Sequence, residues 1–282
     1  MRRFSIRHET RYLFSALVTL GPHRLLLRPR EGHNLRIESS KLDISPPATL
    51  RWHSDAFDNS VAVASFSSST RELVITSEVA VQQYDVAPFD FIVADHAVNF
   101  PFAYSSSEVG VLSPFLGDGR QDTSLHNWIA AIWRYGEPIQ TFELMTRLNG
   151  RINASFSYQA REESGVQTAD ETIYRGIGSC RDFANLLIYA ARSLGLAARF
   201  VSGYLNVPNL NPFSCSTHAW SQIYIPGAGW KGFDPTIGEL VGDKHIAVAV
   251  ARSAEDVPPV SGSFFGAASS NLTVGVDVRE IG

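Results

Sequence analysis

The hydrophobic period of this chain changes once along its length, and that change limits the folds open to it. Up to about residue 85, apolar positions recur every second residue. Phe4, Ile6 and His8 alternate with Arg3, Ser5 and Arg7, and Leu42 and Ile44, Val61 and Val63, and Leu73, Ile75, Val79 and Val81 repeat the pattern. A period of two belongs to half-buried strands. Turn material separates the runs at Pro46-Pro47, Asp58-Asn59-Ser60 and Ser67-Ser68-Ser69, as in an antiparallel sandwich or barrel-like domain. Beyond residue 123 the period becomes helical. Leu125, Trp128, Ile129 and Ile132 follow a Thr123/Ser124 cap, and Phe142, Met145, Leu148 and Ile152 follow Thr141. Thr168-Ala169-Asp170-Glu171 is a capping box that opens a short helix ending at Gly176. A longer helix is expected from 180 to about 194, stopped by Gly195. Strands return after it at 198–204, at 218–225 and 230–234 around Pro226-Gly227-Ala228-Gly229, at 246–250 and at 272–278. The expected fold is α+β in three stretches: a β-rich antiparallel domain over 1–85, a connecting segment over 86–122, and a core of helices packed on an antiparallel sheet over 123–282. Phe89, Phe91, Phe100, Phe102 and Tyr104 suggest that the connection packs down.

Composition removes several classes of function. With 24 Lys+Arg against 28 Asp+Glu, the chain has no basic footprint for nucleic acid, and none is expected as a partner. The longest strictly apolar runs, such as 246–251, are far shorter than the roughly 18 residues a membrane span needs, so no membrane partner is expected either. Two cysteines in 282 residues cannot build a disulfide scaffold. Arg2 and Arg3 before a part-apolar stretch at 12–20 loosely match a secretion signal. Arg7, His8, Glu9 and Arg11 intervene, however, and no small-residue cleavage site follows before Gly21-Pro22. The stretch is therefore taken as a strand, and the cytoplasm, where thiols stay reduced, is the expected compartment.

The chemistry concentrates around Gly178-Ser179-Cys180-Arg181-Asp182. Gly176 and Gly178 permit a close approach, Ser179 suits the helix cap, and Asp182 stands where a capping box puts its acid. Cys180 then takes the first helical position, where unpaired N–H groups and the positive dipole end favour thiolate over thiol. A cysteine nucleophile needs that environment, although a free cysteine packed as a small apolar side chain fits the same position. His218 opens one expected strand and Asp234 closes the next. If Tyr224 pairs with Trp230, then Trp220 pairs with Asp234 and His218 with Thr236. His218 and Asp234 become diagonal neighbours on one face, whereas a one-residue slip would put them on opposite faces. A lone strand histidine is most often structural. Together with Cys180 and Asp234, however, His218 can take the thiol proton and later protonate a leaving amine while the carboxylate fixes its tautomer.

These residues carry a family resemblance. GSCRDFANLLIYAARSLGLAARFVSGYL over 178–205, followed by THAWSQIYIPGAGWKGFDPT over 217–236, is similar to the bacterial transglutaminase-like family. The resemblance implies a papain-like α+β core with a Cys-His-Asp triad, which falls residue by residue on Cys180, His218 and Asp234. The β-rich first third, including Leu25-Leu26-Leu27-Arg28-Pro29-Arg30 and Asp55-Ala56-Phe57-Asp58-Asn59, resembles the N-terminal domain that often precedes this core in bacterial members. That domain usually has glycine where Asp58 stands, a turn position that aspartate also tolerates. The stretch from His245 through Arg252 to Asp256-Val257-Pro258-Pro259 resembles the family's tail. The function so implied is thiol-dependent acyl transfer on a protein or peptide substrate through a thioester. Attack by a lysine amine would make a cross-linking enzyme, and attack by water an amidase or peptidase. A non-catalytic binding scaffold, with the β domain as its recognition module, is the alternative from another class. The backbone N–H of Cys180 is expected to supply part of the oxyanion hole, with no second donor apparent.

Weaker signals have simpler explanations. Gly227-Ala228-Gly229-Trp230-Lys231-Gly232 spells a dinucleotide fingerprint, but its glycines fall in an expected hairpin turn rather than before a helix. Cys215 and His218 with Asp234 or Cys180 form a conceivable zinc set that lacks a paired-cysteine knuckle. Cys215 is otherwise a bystander near the cleft or a redox partner of Cys180. No loop has calcium-ligand spacing. Neither a metal nor a cofactor is expected. Trp220 is a cleft wall or packing, Arg181 a solvent-facing or thiolate-supporting side chain, Asp182 a cap, and His126 structural.

Overall fold

The computed structural model describes residues 1–84, 89–117, 123–161, 165–206 and 217–282. Six strands open the chain: β1 (Arg2–Leu20), β2 (His23–Leu25), β3 (Leu35–Ser45), β4 (Ala48–Ser54), β5 (Ser60–Phe66) and β6 (Ser69–Gln83). They divide between two antiparallel sheets, one carrying β1-β6-β3 and the other β2-β5-β4. The alternation in the sequence sets which face is buried. Leu73, Ile75, Val79 and Val81 are at most 3% exposed, while their neighbours along β6 are half-buried. Phe14, Val18, Leu25, Ala62, Leu73 and Ile75 share one apolar cluster.

The turn before β5 shows why the family-like stretch there is not free to vary. Asp58 has φ 58°, the one positive φ at a non-glycine residue among those described. Aspartate tolerates that region better than most side chains. The Asp55 carboxylate accepts from the N–H groups of Phe57 (3.0 Å) and Asn59 (2.9 Å) and closes the turn. Asn59, fully buried, pairs its amide with both backbone groups of Val250 at 2.8 Å. Arg30 Nη1 donates to the carbonyls of Phe57 and Asp58 and to Asn59 Oδ1. The turn is thus one joint between the β domain and the core sheet.

The connection packs down as expected and contains regular structure as well. β7 (Asn99–Phe100) pairs with β8 (Ile139–Gln140). α1 (Ser106–Leu112) starts at a Ser105/Glu108 capping box that the proline- and glycine-rich composition of this stretch obscures. Phe91 stacks at a tilt on Phe142 with centroids 5.2 Å apart, and the Tyr104 hydroxyl donates to the Tyr224 carbonyl at 2.8 Å.

In the core, α2 (Thr123–Ala130), α3 (Thr141–Ser155), α4 (Ala169–Arg175) and α5 (Cys180–Ser193) follow the helical period of the sequence. The α4 capping box is present, and Gly176 ends that helix with φ 67°. Between them, β9 (Ser157–Tyr158) and β10 (Ile177–Gly178) form a short parallel pair. α5 is buried along most of its length and packs against a five-stranded antiparallel sheet. Its strands are β11 (Ala198–Leu205), β12 (His218–Ile225), β13 (Gly229–Asp234), β14 (Glu239–Leu240) and β15 (His245–Ala251), in the order β14-β13-β12-β11-β15.

One boundary differs from the expectation. The core does not extend to residue 282. After Val257 the chain returns to the β domain, where β16 (Val260–Ser261) pairs with β2 and β17 (Phe264–Phe265) with β1. β18 (Ser270–Glu280) then runs antiparallel to β1 from Phe14↔Ser270 to Phe4↔Glu280. The physical reason is the far side of β1. A 19-residue strand paired only with β6 would present a long open edge, and the tail covers it.

Candidate active site

α5 begins where its caps dictate. Ser179 is extended, and Asp182 accepts from the Ser179 N–H and hydroxyl, both at 2.8 Å, through Oδ2. Asp182 does more than cap. It is fully buried, and its Oδ1 accepts from the Gln167 N–H and from Arg161 Nη1, both at 2.7 Å. Burial opposes its charge, but the donors from Gln167, Ser179 and Arg161 outweigh that and hold the carboxyl below its usual range. The loop before α4 is thereby tied to the helix start. Gly178 is needed here because a Cβ would lie 3.0 Å from both Asp182 and the Phe183 ring. Cys180 is the first helical residue and is 7% exposed, and its N–H has no partner within the helix.

The hairpin has the register on which the triad depends. Tyr224 pairs with Trp230, Gln222 with Gly232 and Ser221 with Phe233. His218 Nε2 and Asp234 Oδ2 are 2.7 Å apart, with the His218 side chain 11% exposed and Asp234 fully buried. Ser221 Oγ donates to the Ala184 carbonyl at 2.9 Å, which fixes β12 against the first turns of α5. Burial alone would lower the imidazole pKa. The Asp234 charge and hydrogen bond, followed by those of Cys180, reverse this and raise His218 to about 10. Asp234 answers in kind: burial pushes its carboxyl up, but His218 and His245 hold it far below the usual carboxylate range. With Nε2 committed to Asp234, Nδ1 is the ring nitrogen left for the thiol. The structure therefore brings Cys180, His218 and Asp234 together.

Asp234 has two further partners. Its Oδ1 accepts from the Thr236 N–H at 2.9 Å, and its Oδ2 from His245 Nε2 at 3.1 Å. His245 was legible only as part of a family-like tail, and no local pattern pointed to this contact. One ligand atom from each of His218, Asp234 and His245 lies within 4.8 Å of the others, a spacing a metal ion could use; here both imidazoles are hydrogen-bonded to the Asp234 carboxylate. Trp220 is 1% exposed and packs with Val201 and Val250, its ring edge-on to His245 at 5.2 Å. Tyr158 stands beside Gly178 in the β9–β10 pair, half-exposed. Burial first, then the nearby charge of Cys180, pushes its hydroxyl up to about 12. His126 is exposed on α2. Gly227 and Gly229, with φ 83° and 73°, lie at the turn between β12 and β13 with no helix after them. Cys215 lies outside the described residues.

A helix-borne cysteine facing a His–Asp pair on adjacent strands defines a class, and comparison with known proteins agrees. Residues 4–82 match the bacterial transglutaminase-like N-terminal region, and residues 134–235 match the transglutaminase-like superfamily. The core is therefore similar to the transglutaminase-like superfamily, and the β domain in front of it to the bacterial N-terminal region. Among its relatives is Rv2569c of Mycobacterium tuberculosis, 28% identical over 292 residues that cover 98% of this chain and 92% of that protein. ML0607 of Mycobacterium leprae is 22% identical over 287 residues, covering 100% of both chains. A candidate cysteine protease from Cytophaga hutchinsonii superposes with a TM-score of 0.75 at 21% identity, covering 100% of this chain and 91% of that one, a likeness of fold.

Proposed function

We propose that this protein is a thiol-dependent acyl-transfer enzyme acting on amide or peptide bonds of a protein or peptide. The observation that carries the reading is His218, bonded to a buried carboxylate at 2.7 Å and raised to about 10 by Asp234 and Cys180. An imidazolium beside Cys180 favours the thiolate, which is the nucleophile. The thiolate attacks the carbonyl carbon, forming a C–S bond and an oxyanion that the Cys180 N–H at the helix start can stabilise. His218 then passes its proton to the leaving nitrogen, the C–N bond breaks, and ammonia or an amine departs from a thioester. In the second half His218 takes a proton from the incoming water or amine, which attacks the thioester and releases Cys180.

The two outcomes differ in mass. Candidate peptides would be incubated with the protein, with and without a primary amine, and the products weighed. Peptide cleavage adds one water across two fragments, side-chain hydrolysis turns glutamine into glutamate, and cross-linking replaces ammonia with the amine. Cys180→Ala should abolish every such change. Changes that persist in Cys180→Ala would overturn Cys180 as the nucleophile, and no change with any peptide would favour the binding scaffold.

A further inference from the structure

The carboxylate that orients His218 is itself held by a second histidine. His245 Nδ1 accepts the Gly242 N–H at 3.3 Å, which leaves the ring hydrogen on Nε2, and Nε2 donates to Asp234 Oδ2 at 3.1 Å. We propose that His245 is a positioning residue of the Cys180–His218–Asp234 site: it fixes the one carboxylate oxygen that His218 uses. The proposal rests on the thiol-enzyme reading above. Its physical basis is the softness of the terminal torsion of an aspartate, which is broad rather than locked in narrow wells. A carboxylate holds one orientation only when donors on both oxygens enforce it. Thr236 serves Oδ1, and His218 and His245 share Oδ2. Without His245, Oδ2 is held only by His218, the partner it is meant to orient.

His245 is positioned in turn by groups outside the core. The chain crosses the sheet from β14 to β15 between Leu240 and His245, and Val241 packs on the Trp220 cluster during the crossing. Two residues of the β domain grip this crossing: Gln83 Nε2 donates to the His245 carbonyl at 3.2 Å, and Arg2 pairs with Asp243 at 2.9 Å. The charged groups around the His245 ring are Asp234 and His218 on the sheet, and Arg30 and Glu31 across a cavity of about 160 Å³ that Gln83, Trp220 and His245 also line. The β domain thus supports the site through the backbone that carries His245.

The test is the rate at which iodoacetamide alkylates Cys180, read on its own peptide by mass spectrometry, for the native protein and four variants. Glutamine can place an amide N–H near the Nε2 position, so His245→Gln should keep most of the native rate. His245→Leu offers no donor, and asparagine is too short to reach. At pH 6, where the thiolate depends on the imidazolium, both His245→Leu and His245→Asn should fall about tenfold. At pH 9, above the ordinary thiol range, they should fall less than about threefold. A purely structural loss would move both pH values together and would lower the rate of His245→Gln as well. Thermal unfolding checks each variant, and if His245→Leu does not fold, the contrast between asparagine and glutamine decides. Native-like rates at pH 6 in His245→Leu and His245→Asn would overturn the proposal, provided the native protein reacts faster than His218→Ala. If the native protein is no faster than His218→Ala, the thiol-enzyme reading fails first.

Discussion

The β domain and the core sheet are both antiparallel, yet they use charged side chains in opposite ways. Along the outer face of β1, arginines meet acids across the strands: Arg11 pairs with Glu72 at 2.5 Å and Arg3 with Glu38 at 2.7 Å, all partly exposed. At the end of the core sheet, Asp234 and His245 are buried, His218 is nearly so, and both histidines bond the Asp234 carboxylate. An exposed pair gains little because water competes for both charges. A buried pair gains little net energy too, but removing one partner strands the other, so the geometry is enforced. The first region carries solvated charge along a strand face, and the second holds one arrangement of atoms.

The largest expected effect tests whether the tail belongs to the first region. A chain ending at residue 258 loses β16, β17 and β18, and with them the whole ladder from Phe4↔Glu280 to Phe14↔Ser270. It should aggregate or lose its cooperative unfolding transition, as size-exclusion chromatography and circular dichroism would show. A truncated monomer with unchanged melting would mean that β1 tolerates an open edge.

The next effect separates the buried network from ordinary packing by its pH dependence. His218 is raised from 6.5 to about 10, so its contribution to stability is full below pH 6.5 and is lost as pH rises through about 10. Asp234 is depressed from 3.8, so its contribution is present above that value and is lost as acid is added. Asp234→Asn should therefore trail the native protein most between about pH 4 and 6.5, by about 3 kcal/mol, with the gap closing towards pH 10. Denaturant titrations at several pH values measure this, and a gap independent of pH would contradict the charge assignment. The smallest effect belongs to Arg11→Ala, which should cost less than about 1 kcal/mol and nothing measurable in high salt. A larger loss would show that the outer face of the β domain is not merely solvated.

How much of this was legible in the sequence depends on how local each feature is. α5 and its cysteine were readable because caps and the stopping Gly195 are encoded within a few residues of the helix. The pairing of His218 with Asp234 was readable because a tight turn transmits register along a hairpin, so Tyr224 opposite Trp230 determines the rest. Asp58 was readable as a turn residue that replaces a glycine, and its φ of 58° is what that exchange requires. His245 was not readable in its role. It opens an apolar run that signals only a buried strand, and its contact with Asp234 depends on a crossing over three intervening strands. The return of the tail was hidden for the same reason: 272–278 announces a strand but not which edge it will cover.

The central claim is that His218, poised by Asp234, keeps Cys180 reactive. Its most direct measurement is the alkylation rate of Cys180 from pH 5 to 10 in the native protein and in His218→Ala. The native rate should be high and nearly flat through neutral pH, because the imidazolium persists to about 10. The variant should react appreciably only as pH approaches the ordinary thiol range, about 8.5. Overlapping profiles, both rising near that value, would contradict it.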